Sequence, residues 1–193
     1  MPITTIEVFD AVDIKDASVL FKGASVTDPF GCVGSLDAET EIKTIKKTCG
    51  GVTLKQKSKP IQMNLKISVH LQLKVLREIF GITNQQLKEG VFSYGVDSLG
   101  KDFTFVAREV DLFDDVSRYI AFPNCSSATG FITSVTSGEE EVAETELEIT
   151  CLPDVYGQFY YEAFVKDLTP EDAKMWMTAF NPEKVQKNAG NVK

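Results

Sequence analysis

Residues 61–73 read IQMNLKISVHLQL. Met63, Leu65, Ile67, Val69 and Leu71 alternate with Gln62, Asn64, Lys66, Ser68, His70 and Gln72. Successive side chains of a strand point to opposite faces, so one face here is apolar and the other polar. The alternation predicts a strand of ~36 Å, about twice the usual length.

Further strands are expected over 18–22, 33–45, 102–112, 129–137, 142–152 and 158–166, separated in several places by turn signals. These signals are Gly50-Gly51, Ser98-Leu99-Gly100 and Ser137-Gly138. Two helices interrupt the strands. In LKVLREIFG, Leu73, Leu76 and Phe80 share a face with Val75 and Ile79 beside them, and Gly81 supplies the stop. In TPEDAKMWMTAFNP, Thr169 is placed to cap, Pro170 occupies the first helical position and Asp172 offers the return carboxylate of a capping box. Ala173, Trp176, Met177 and Phe180 then recur at helical spacing before Pro182. A shorter turn is expected over 83–88. The fold class is therefore mainly β with a flanking helix (α+β), the strands mostly antiparallel. Residues 1–182 form one domain in this scheme, with a basic extended loop at 46–60 and a mobile tail at 183–193.

The chain has 193 residues and a formal net charge of -8, which argues against adhesive binding to nucleic acid. No basic segment followed by an apolar run opens the chain, so no signal peptide is expected, and no run is long enough to span a membrane. Cys32, Cys49, Cys125 and Cys151 lack any C-x-x-C spacing, and His70 is the only histidine. The four cysteines are expected as reduced thiols, with neither a metal site nor a cofactor.

Two acidic rows stand out. Glu144, Glu146 and Glu148 alternate with Thr145, Leu147 and Ile149, and Asp37, Glu39 and Glu41 alternate with Ala38, Thr40 and Ile42. Like charges ~7 Å apart on one strand face repel, so each row calls for a reason. One is a plain solvent-facing side; the other is a surface that must not bind polyanions. Past Glu41 the sign reverses. Lys46, Lys47, Lys55, Lys57 and Lys59 flank Gly50-Gly51, and Lys55, Lys57 and Lys59 alternate with Gln56 and Ser58. Neither face of that segment is apolar, which predicts a basic loop or arm docking on an acidic neighbour.

No enzyme is indicated. G-x-S-x-G, Walker and dinucleotide motifs are missing, and His70 has no partner pattern for general-base work. Phe159, Tyr160, Tyr161 and Phe164 are read as core and interface.

From Val33 to Phe180 the chain resembles the major tail (tail tube) proteins of long, non-contractile-tailed bacteriophages. The likeness is carried by SGEEEVAETELEITCLPDVYGQFYYEAF, where a glycine-acid turn leads through an E-L-E strand and a D-x-x-G turn into an aromatic strand. LREIFGITNQQLKEGVFSYG and AFPNCSSATGF fit the same layout. The resemblance implies an antiparallel β-sandwich that self-assembles into stacked rings, expected as hexamers, in a virion tail built in the bacterial host cytoplasm. It implies as partners other copies of the chain, the tape measure, distal tail and tail terminator proteins, and duplex DNA in transit without specific binding. A lumen lined by carboxylates would repel DNA, where a basic lining would hold it through counterion release. Glu144, Glu146, Glu148, Asp37, Glu39 and Glu41 become the lumen-facing candidates. Lys46, Lys47, Lys55, Lys57 and Lys59 fall where a loop between successive rings is expected. The rival expectation, from another class, is a soluble intracellular β-sandwich module binding a protein ligand with its aromatic strand.

Overall fold

The alternating run lies inside a still longer strand. The computed structural model, which describes residues 9–113, 115–133 and 142–187, starts with β1 (Ala11–Phe21) and the two-residue β2 (Asp28–Pro29). The hairpin of β3 (Gly31–Cys49) and β4 (Val52–Leu71) follows, then helix α1 (Leu73–Phe80). β5 (Phe103–Asp111), β6 (Ser117–Ser127) and β7 (Thr145–Cys151) come next, and β8 (Tyr161–Phe164) and helix α2 (Pro170–Ala179) close the order. The protein is thus mainly antiparallel β with flanking helices. All eight strands belong to one sheet, ordered β2-β1-β5-β6-β7-β4-β3, with β8 beside β6. Its two ends approach each other where the Phe30 N–H donates to the Ala17 carbonyl (2.9 Å).

Alternation decides which face of each strand is buried. Leu65, Ile67 and Val69 of β4 and Leu147 and Ile149 of β7 enter one core with Val19 of β1, Phe105 of β5 and Phe122 of β6. Val75, Ile79 and Phe80 of α1 complete it, with Leu76 packed against it; the buried face is thus rotated from the expected one, and Leu73 is exposed. Gly81 ends that helix at φ 67°, a left-handed conformation open to glycine.

β5 and β6 are covered on both faces. Their alternate residues Val106, Tyr119 and Ala121 pack against Trp176 and Phe180 of the α2 segment. Trp176 stacks on Tyr119 with ring centroids 6.1 Å apart. The helix starts as its sequence predicts: the Thr169 hydroxyl oxygen accepts from the Asp172 N–H (3.1 Å) and its O–H donates to the Asp172 carboxylate (2.8 Å). Each fully buried aromatic or aliphatic side chain contributes ~1.5–3 kcal/mol.

β6 is the strand that the sequence hides, because Pro123 interrupts it. Proline has no N–H to give a central strand. The sheet accommodates it at a register shift against β5, and in the gap between the β8 pairing (Arg118–Ala121) and the β7 pairing (Cys125–Ser127). Residues 129–133, expected as strand, are irregular, and 134–137 lie outside the described residues. The turn at 83–88 is held by Asn84, whose amide donates to the Lys88 carbonyl (3.0 Å). The expected strand over 158–166 narrows to β8, followed by one 3-10 turn (Val165–Asp167). Val185, within the expected tail, packs against the α2 cluster, and 188–193 lie outside the described residues.

Candidate functional site: an acidic sheet face and a basic ribbon

β4 lies between β3 and β7, so its polar face sets the surroundings of both acidic rows. Register places Asp37, Glu39 and Glu41 of β3 opposite Lys66, Asn64 and Gln62. On the other side, Glu148 and Glu146 of β7 lie opposite Lys66 and Ser68. Paired residues share a face, so Asp37, Lys66 and Glu148 form one line across three strands. Glu144, just before β7, approaches the β4 row at His70, its carboxylate 3.9 Å from Nε2. Its carboxylate also lies over Gly34, where a Cβ would meet Oε1 at 2.2 Å.

Both acidic rows therefore occupy one face of one sheet, two strand spacings (~10 Å) apart. All six carboxylate residues are exposed; the reverse side of β4 and β7 is the core, whereas on β3 Leu36 packs against the core and Ala38 and Thr40 are exposed. Between Gln62 and Leu71, Lys66 and His70 are the cationic or titratable residues of β4 on that face.

Beyond Met63, which pairs with Cys151 at the end of β7, β3 and β4 continue without a third strand among the described residues. Residue 61 is bypassed in the register between Glu41/Gln62 and Ile42/Pro60, and this bulge marks where the ribbon leaves the body. The ribbon extends ~27 Å at strand rise, and residues 42–61 are exposed throughout. Its tip joins Cys49 to Val52 through Gly50 (φ 57°) and Gly51 (φ 81°). Positive φ at both central positions is the geometry of a two-residue hairpin turn, and glycine supplies it without strain. The basic loop expected at 46–60 is thus a β-ribbon.

Register sorts its lysines. Lys43, Ile45 and Lys47 lie opposite Lys59, Lys57 and Lys55, gathering five lysines on one face. Lys46 lies opposite Gln56 on the other face, with Thr44 and Ser58, whose hydroxyls hydrogen-bond at 2.9 Å. Lys46 is therefore separated from the other candidates. Lys43 escaped the sequence reading: counting back from Gly50-Gly51 as a two-residue turn places it opposite Ser58, and the register shift between Lys47 and Thr48 moves its partner to Lys59. On β3 the acidic row and the lysines share parity, so Asp37, Glu39 and Glu41 give way to Lys43 at the exit of the ribbon.

No family model and no curated protein matches the chain.

β3 ends the strand order, so its second edge borders no strand along the ribbon among the described residues. Its length and exposure make that edge a template for a further strand. The aromatic strand offers less surface. Phe159, Tyr160, Tyr161 and Phe164 are each half-buried, Tyr160 against the main core and Tyr161 against the α2 cluster. Burial and the hydrogen bond to Glu162 (2.8 Å) raise the Tyr160 phenol above its usual range, and burial and the bond to Asp154 (2.6 Å) do the same for Tyr161. Arg118 ties this region together, donating to Glu109 through Nε (2.8 Å) and to Glu162 through Nη1 (2.8 Å). No helix among the described residues is long and apolar enough to cross a membrane.

Proposed function

We propose that this chain is a self-assembling structural subunit of a phage tail tube, the conduit for genome ejection. The observation that carries the proposal is the gathering of Glu144, Glu146, Glu148, Asp37, Glu39 and Glu41 on one exposed face, beside the free edge of a long strand. Extending the sheet across that edge with the next copy would close a wall whose inner surface is acidic. Such a surface gives a polyanion no adsorption minimum, because binding there would release no counterions. The ribbon then reaches the adjacent ring, its lysine face meeting carboxylates of that ring. Single exposed pairs contribute only ~0.2–1 kcal/mol, but a ring repeats each pair around its circumference. The tape measure, distal tail and tail terminator proteins are the partners this role calls for.

The direct test is negative-stain microscopy of the purified protein at rising concentration. Rings or tubes are expected; persistent monomers at high concentration and moderate salt would remove the proposal.

A further inference from the structure

Cys125 and Cys151 are opposed positions on β6 and β7, and their sulfurs lie 2.9 Å apart inside the core. Paired residues of antiparallel strands have Cα atoms ~4.5–5.5 Å apart, within the ~4.4–6.8 Å that a disulfide spans. Their Cβ atoms leave the sheet on the same face, so the sulfurs need only close to ~2.0 Å.

The position of the pair gives the bond a consequence. The β6–β7 ladder has three register pairs, Cys125/Cys151, Ser126/Thr150 and Ser127/Ile149, whereas β5–β6 and β4–β7 have seven each. One backbone hydrogen bond flanks it at either end, from the Leu152 N–H to the Asn124 carbonyl (2.9 Å) and from the Ala128 N–H to the Glu148 carbonyl (2.8 Å). This short seam joins the half of the sheet covered by α2 to the half bearing the acidic face and the ribbon.

We propose that Cys125 and Cys151 are an oxidisable dithiol that closes into a disulfide under a small peroxide and staples the β6–β7 seam. One thiolate attacks a peroxide oxygen, giving a sulfenic acid and water. The second thiol attacks the sulfenic sulfur, forming the S–S bond and releasing another water. Two thiols and one hydrogen peroxide become one disulfide and two waters. Burial, with Cys151 beside it, raises the Cys125 thiol well above its usual range, and both sulfurs lie in the core, so oxidant does not reach the pair while the seam is closed. Opening of the three-pair ladder admits the oxidant, and the bond then prevents reopening. Oxidation is therefore slow and its product durable. The chemistry holds whether or not the subunit builds tubes.

The test uses Cys32→Ser/Cys49→Ser protein, which removes the two exposed thiols, alongside the unmodified chain. Each is incubated with hydrogen peroxide, denatured, alkylated and digested without reductant. The expected result is loss of both remaining alkylation sites, a peptide pair linked through Cys125 and Cys151, and a mass lower by two hydrogens. The midpoint of thermal unfolding should rise by about 5–10 °C and return after phosphine reduction. Thiols that stay alkylatable, oxidation to sulfinic or sulfonic acids without linkage, or a lowered midpoint would each overturn the proposal.

Discussion

Glu146 and Glu148 stand on an exposed face beside Ser68 and Lys66, and Asp37 stands on the far side of the same Lys66. A lysine flanked by carboxylates on both neighbouring strands offsets part of their mutual repulsion, each cross-strand pair contributing ~0.2–1 kcal/mol. We predict that Glu146→Lys/Glu148→Lys leaves the fold intact, because neither side chain enters the core. Tubes made from that variant should retain DNA at low ionic strength and release it as salt is added. Ejection measured against salt checks this, and normal ejection at low salt would contradict it. Trp176 acts through volume instead. Trp176→Ala should cost ~3–5 kcal/mol in denaturant unfolding, because it empties the space between Tyr119 and Phe180. The tyrosines couple stability to pH. With their folded-state ionisation raised, Tyr160 and Tyr161 contribute fully below pH ~10, and the contribution is lost as pH rises through the folded values. Alkaline unfolding curves should therefore flatten in Tyr160→Phe/Tyr161→Phe protein.

At the scale of elements, the ribbon makes the sharpest distinction because register gives its faces different chemistry. Lys55→Glu/Lys57→Glu/Lys59→Glu should block stacking of rings while circular dichroism stays unchanged, whereas Lys46→Glu, on the opposite face, should stack normally. Tube lengths in micrographs measure both; equal lengths for the triple variant and the unaltered chain would take the lysine face out of assembly. Much of this geometry was legible in the sequence. Alternation from Gln62 to Gln72 gave the long strand and its buried face, and helical spacing with Thr169 and Pro170 gave α2. What alternation does not encode is pairing between distant strands. Nothing local in either acidic row indicates that both flank the same strand, because that depends on β7 pairing with β4 from more than seventy residues away. β6 was hidden for a related reason: Pro123 breaks the strand pattern, and only neighbours that leave a gap at that position make it tolerable. Lys46 was misgrouped because adjacency in sequence sets opposite faces on a strand.

For the whole molecule, the sheet presents a core-facing side, an acidic solvent-facing side at one end and a basic ribbon beyond it. A long free edge is a hazard for a monomer, exposing backbone groups that another chain can pair. It becomes an asset when the intended partner is an identical subunit. The central claim is that copies of this chain associate edge to edge, with the acidic rows turned inward. The measurement that tests it most directly is cryo-electron microscopy of assemblies formed by the purified protein. The account predicts hollow tubes of stacked rings whose inner wall carries Glu144, Glu146, Glu148, Asp37, Glu39 and Glu41. Tubes with both acidic rows on the outer wall would contradict it, as would a protein that remains monomeric under every assembly condition.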